Sequence, residues 1–164
     1  MKKLRKFRGQ AIVETGPALF VLLILIFFPM LDLLAMGLQF CCGWYLNHEA
    51  THELSVSKLA DWTIALDQVK GKFDNTGIPK FAHMVSGTHT YTSVPGDNIG
   101  TPGSVNNTTA VVCKPFLYIP MFFPCPGVNQ NMTFSFTTVA TWETFDKTNP
   151  TNMSQTSGTY AFTE

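Results

Sequence analysis

The sequence predicts an α+β fold, in which a long N-terminal membrane-spanning helix continues into an amphipathic helix packed on a small antiparallel β-sheet. Three observations predict it. Thr15 to Leu31 is a run of 17 residues without a charge, and the apolar run resumes from Leu33 to Tyr45 after Asp32. Leu59, Trp62, Leu66, Val69 and Phe73 recur at spacings of 3, 4, 3 and 4, which lines one face of a helix. Met132, Phe134, Phe136, Ala140 and Trp142 alternate with Thr133, Ser135, Thr137, Thr141 and Glu143, the period of a strand with one buried face.

The charges are asymmetric although the net charge is zero. Lys2, Lys3, Arg5, Lys6 and Arg8 supply five of the 11 basic residues, leaving six against 11 acidic residues in the rest of the chain. A basic tip on a mildly acidic remainder argues against a nucleic-acid partner, which needs a basic face on the folded part. It fits the positive-inside rule, with the tip cytoplasmic and the C-terminal part outside the cytoplasm. Spanning takes about 20 mostly apolar residues. A cleaved secretory signal would carry a small-x-small site after a shorter apolar core, and none precedes Asn47.

Residues 1–9 read as a basic leader peptide, 10–46 as the transmembrane and assembly helix, 47–73 as an amphipathic helix and 74–164 as a loop-rich extracytoplasmic β domain. Pro17 and Pro29 each remove a helix donor and predict a kink or a local loss of helix. Gly37 and Gly43 should loosen the outer half. Ser55-Val56-Ser57 is a weak helix-former stretch where a bend is expected, and Asp74 to Pro79 ends the helical part. Residues 80–108 read as loops, with a short strand at His89 to Val94. Further strands are expected at Thr109–Cys113, Phe116–Phe123, Met132–Thr144 and Thr159–Thr163.

Cys113 and Cys125 flank a proline-rich stretch in the part expected to be exported. A disulfide there would contribute roughly 3 kcal/mol. Cys41 and Cys42 point about 100° apart on a helix, so a bond between them is not expected. They read as small packing residues, as a bond to another subunit or as a lipid anchor. Asn106, Asn107, Asn131 and Asn152 each start a glycosylation triplet, which matters only in a glycosylating host.

Glu14 stands between Ile12-Val13 and the long apolar run. A bare carboxylate at mid-bilayer costs at least about 2.5–3.5 kcal/mol, so such a group seeks the interface or a cation. A cut after Gly9 would supply a cation, a new α-amine at Gln10, one helical turn before Glu14.

Basic residues, then Gly9, Gln10 to Glu14 and an apolar helix resemble the class III signal of type IV pilin-like proteins. More narrowly, Arg8-Gly9-Gln10-Ala11-Ile12-Val13-Glu14 is similar to the start of TadE-like pseudopilins of the Tad (tight adherence) system. Val111 to Phe116, a proline-rich turn and Phe134 to Glu143 resemble that family's closing strands. Thr15, Pro29 and Asp32 depart from its usual pattern. The resemblance implies cleavage by a prepilin peptidase after Gly9, with Gln10 as the new N-terminus and Glu14 guiding assembly. It implies a pilus or pseudopilus subunit in the inner (cytoplasmic) membrane, whose partners are lipid, other pilin-like subunits and an inner-membrane assembly platform. It implies neither enzymatic activity nor a cofactor.

A rival motif is His48-Glu49-Ala50-Thr51-His52, a formal His-Glu-x-x-His match. On a helix it sets two imidazoles one turn apart, beside a glutamate able to activate a metal-bound water. A catalytic zinc also needs a third protein ligand. Ser55 and Lys58 stand where the long metzincin form would need Gly and His. Asp74, His83 and His89 are the remaining candidates. A membrane-tethered zinc protease and an unprocessed, signal-anchored membrane protein are thus the alternatives to a pilin-like subunit.

Overall fold

The computed structural model describes residues 4–94, 103–117, 127, 129–142 and 157–163, with side chains from Thr15 onward except those of Ile78, Pro79, Ser86 and Thr163. Helix α1 (Leu4–Val56) is followed by a 3-10 turn (Leu59–Asp61), helix α2 (Trp62–Asn75) and the one-turn helix α3 (Ile78–Phe81). Strands β1 (Met84–Val94), β2 (Ser104–Cys113), β3 (Met132–Thr141) and β4 (Ser157–Thr163) form one antiparallel sheet in the order β3-β2-β1-β4. The α+β class expected from the sequence is therefore present, with the long apolar helix at the N-terminus.

Helix α1 runs unbroken through Pro17 and Pro29. The expected loss of helix does not occur, because each proline removes only one donor and the neighbouring turns keep their own bonds. The helix does end at Val56, within the stretch expected to bend. The indole N–H groups of Trp62 and Trp142 both donate to the Ser57 carbonyl, at 3.4 and 3.3 Å. Two large rings thereby occupy the end of α1, where carbonyls lack helical partners. Trp62, Leu66, Val69 and Phe73 are buried and Leu59 packs against them, as the spacing predicts. Burying each such side chain is worth about 1.5–3 kcal/mol.

The strands are longer than expected in the first hairpin and shorter in the third strand. Val105, Asn107, Thr109, Val111 and Cys113 all face inward along β2. Polar Asn107 and Thr109 at inward positions hide the alternation, which is why 104–108 reads as loop. In β1 a register shift between Met84 and Ser86 lets Met84 and then Gly87, His89, Tyr91 and Ser93 face inward. Gly87 lies opposite Phe162 of β4, whose ring occupies the space a Cβ would need. In β3, Phe136 is buried and Phe134 half-buried, as the alternation predicts. Phe116 and Leu117 form a bend, and the remainder of the strand expected at 116–123 lies outside the described residues. β4 occurs as expected, pairing with β1 at an edge.

Side chains joining helix to sheet come largely from α1. Phe40 meets Phe134 and Phe136 edge-on at 5.8 and 5.0 Å. Trp62 of α2 stands edge-on to Tyr91 of β1 at 5.3 Å, and the Tyr160 hydroxyl of β4 donates to Asp67 of α2.

Candidate functional site

Helix α1 holds the residues that the sequence singles out and divides into two stretches. Gly9, Gln10 and Glu14 lie on its first turns; their side chains are outside the described set. From Leu19 to Phe27 every residue is an exposed large hydrophobe, 41–73 % accessible. The described helix from Thr15 is long and apolar enough to cross a membrane, with an 18-residue window of mean hydropathy 2.7. Among the described residues that stretch stays exposed, so packing within the chain does not account for its apolar character.

Higher up, one face turns inward. Asp32, Gln39, Gly43, Leu46, Asn47, Ala50, Thr51 and Leu54 are buried, at separations of mostly three, four or seven residues. This is a helical stripe, and five of these eight residues are polar or glycine, so a search for apolar periodicity misses it. Gly43 has a packing role rather than a loosening one. A Cβ there would lie 2.6 Å from the Phe136 ring, so the missing side chain lets α1 approach β3.

Asn47 organises the polar part of the contact. Its Nδ2 donates to Thr138 Oγ1 at 2.5 Å, and its Oδ1 accepts from Thr109 Oγ1 at 2.7 Å and from Asn107 Nδ2 at 3.1 Å. Thr51 Oγ1 donates to the Asn47 carbonyl at 2.6 Å. His89 Nδ1 lies 2.8 Å from Thr109 Oγ1. Thr109 has one hydroxyl proton and gives it to Asn47, so His89 must donate from Nδ1. Burial lowers the His89 pKa to about 4, which keeps the ring neutral at pH 7. Asn107 Oδ1 is buried without a hydrogen-bond partner. Asn107, a formal glycosylation triplet, is wholly inaccessible, whereas Asn106 beside it is exposed.

Asp32, an odd residue for an apolar helix, is 1 % exposed and accepts the Leu117 backbone N–H at 2.8 Å. Gln39, two turns on, donates to the Lys114 carbonyl at 2.8 Å. Both fasten the segment that follows β2 to the helix.

His48 and His52 are exposed on the outer face of α1 and, with Thr138 to Thr141, line an open groove of about 240 Å³. His48 stacks on Trp44 at 5.6 Å. Glu53 is paired with Lys72 at 2.9 Å, which raises the lysine pKa. Among the described residues no third His, Cys, Asp or Glu joins the two histidines to make a metal-holding group. The three sequence candidates are engaged elsewhere: Asp74 lies 4.0 Å from Lys70, His83 stands against Phe116, and His89 is in the buried network.

The bond expected between Cys113 and Cys125 has no counterpart among the described residues. Cys113 is a free thiol facing the helix–sheet core, where burial, with Cys42 nearby, pushes its pKa up to about 11. Cys125 lies outside the described residues. Cys41 is exposed and Cys42 half-buried, both as free thiols.

No protein-family model, no curated protein and no solved structure matches this chain.

Proposed function

We propose that the chain is a pilin-like, or pseudopilin, structural subunit of a Tad or type IV pilus-like filament or secretion assembly, processed after Gly9 by a prepilin peptidase. The observation that carries this reading is the change of partner along α1. Its lower stretch is bare and apolar, while its upper face, from Asp32 to Leu54, is fastened to the segment after β2 and to the sheet. A subunit that waits in lipid and then enters a helical bundle needs this division. The bare stretch contacts acyl chains first and neighbouring helices afterwards. The upper contact keeps the domain attached throughout.

In this reading the basic tip holds the N-terminus in the cytoplasm, and the single pass places the sheet on the far side of the inner membrane. Cleavage frees an α-amine at Gln10, one turn from Glu14 on the same helix face. Glu14 then pairs with such an amine, in its own or a neighbouring subunit, as the helix leaves lipid. The partners are the peptidase, other pilin-like subunits, the assembly platform and lipid. Neither catalysis nor a cofactor is needed.

The test is the intact mass and N-terminal sequence of the protein from its own membranes, with and without the host's prepilin peptidase. A chain starting at Gln10 only when the peptidase is present is the expected result. A chain starting at Met1 in both cases would overturn it and leave an unprocessed single-pass anchor. The assembly role of Glu14 fails separately if Glu14→Ala assembles as well as the parent chain.

A further inference from the structure

The lower end of the folded domain carries an apolar surface that neither the assembly reading nor the core uses. Between Gln39 and Asp32 the helix descends seven residues, about 10 Å at 1.5 Å each. The partners of these two side chains, the Lys114 carbonyl and then the Leu117 N–H, follow in the same order along the segment after β2. The segment after β2 therefore runs down the helix towards its bare stretch. Beside it lies α3. Phe81 at the end of α3 is 67 % exposed, and Phe116 in the descending segment is 44 % exposed. With Leu31, Leu34 and Leu38 of α1 they line an apolar cavity of about 150 Å³. Lys80 and Lys114, both exposed, flank the two phenylalanines in sequence.

The length of the uncharged run says what covers this surface. Thr15 to Leu31 is 17 residues, about 25 Å of helix. A hydrocarbon core is about 30 Å thick. If Thr15 marks the inner edge, the outer edge falls three residues beyond Leu31, at Leu34. Leu33 and Leu34 are each 65 % exposed, as a lipid-facing pair would be. That boundary lies above Asp32 and level with the cavity shared by Leu34, Phe81 and Phe116. A carboxylate at this depth needs cover. Asp32 has it: the Leu117 backbone binds Oδ1, and Oδ2 is enclosed by protein, without a partner of its own.

We propose that α3 and residues 114–117 form an interfacial foot seated in the outer leaflet of the bilayer that α1 crosses. Phe81 and Phe116 enter the acyl region, Lys80 and Lys114 reach the headgroup phosphates, and Asp32 is sheltered between foot and helix. The foot fixes the height of the domain above the membrane and lets a 17-residue run serve a thicker core. This rests on the membrane-spanning reading of α1, and it does not depend on processing or assembly.

The experiment uses the full chain in vesicles of phosphatidylethanolamine and phosphatidylglycerol. The photoreactive residue p-benzoylphenylalanine replaces Leu25, Ile64, Phe81 or Phe116, one at a time. After irradiation, the mass added to the protein is read. Leu25 reports the span, and Ile64, 55 % exposed on α2, reports a surface away from lipid. Phospholipid adducts at positions 25, 81 and 116, several-fold above position 64, are expected. Adducts at 25 with 81 or 116 no higher than 64, or cross-linked to a second copy of the chain instead, would overturn the foot alone. Absence of an adduct at 25 would overturn the span on which it rests.

Discussion

Asn47 of α1 accepts the Thr109 hydroxyl of β2 at 2.7 Å in a space where both residues are fully buried. The bond fixes both the rotation of the helix and its height on the sheet, since a shift of one residue on either element would separate the pair. Asn47→Ala removes partners from Thr109, Asn107 and Thr138 together. A buried polar group left unsatisfied costs about 1–3 kcal/mol. A loss of roughly 2–3 kcal/mol in urea unfolding in detergent is therefore expected. Asn106→Ala, one strand position from the network and exposed, should stay within about 0.5 kcal/mol of the parent. Equal effects from the two would show that the network does not hold the helix.

Acid should weaken the same contact through His89. Its folded pKa is depressed to about 4 by burial, below the usual 6.5. A depressed histidine pKa means that the unfolded chain binds the proton first. Stability is thus full above about pH 6.5, falls as pH drops from about 6.5 to about 4, and is level below that. The whole window corresponds to about 3 kcal/mol. His89→Gln keeps a donor without titrating. Urea midpoints at pH 7 and pH 4.5 should therefore differ less in the variant than in the parent chain. An unchanged pH slope would remove His89 from the account.

Two glycines of α1 should respond to alanine with opposite signs. At Gly37 a Cβ meets nothing within 4 Å, so Gly37→Ala gains about 0.5–1 kcal/mol of helix stability. At Gly43 the new Cβ meets the Phe136 ring, and overpacking of this kind costs about 1–3 kcal/mol. Gly43→Ala should be the less stable variant, and Phe136→Leu in the same chain should recover part of the loss. Thermal midpoints that rise for both alanines would mean that α1 does not press on β3.

Thiol counting checks the state of Cys113. The exposed Cys41 should take up iodoacetamide in the folded chain. Cys113, buried and with its thiol pKa raised to about 11, should react only after denaturant is added, without reductant. A requirement for reductant as well would show Cys113 held in a disulfide, and peptide mapping would then tell Cys125 from Cys42 as its partner.

Much of the architecture is legible because it rests on apolar periodicity. The α2 stripe and the β3 alternation both read directly, and so does the break after Val56. The contact between α1 and the sheet does not, since its determinants are Asn47, Thr51, Asn107 and Thr109. Polar residues ordinarily mark solvent or turns, and nothing local tells a buried asparagine from an exposed one. Asp32 is the same case: a carboxylate in an apolar helix looks anomalous until its partner, the backbone of Leu117 far along the chain, is located. Pro17 and Pro29 are legible as missing donors but not as breaks, because a single missing donor leaves the neighbouring turns of a 53-residue helix bonded.

The place of β4 has a consequence for how the protein is made. β1 pairs with β2 on one side and with β4, the last of the described strands, on the other. β2 and its hairpin partner are near neighbours in sequence, whereas β4 arrives only after β3 has been laid down at the far edge. Until then the outward row of amides and carbonyls on β1 is an open template. Pairings between distant segments are also the slow ones. A chain halted or trimmed before Ser157 would carry that open edge permanently, and association through β1 is the failure to look for in such fragments.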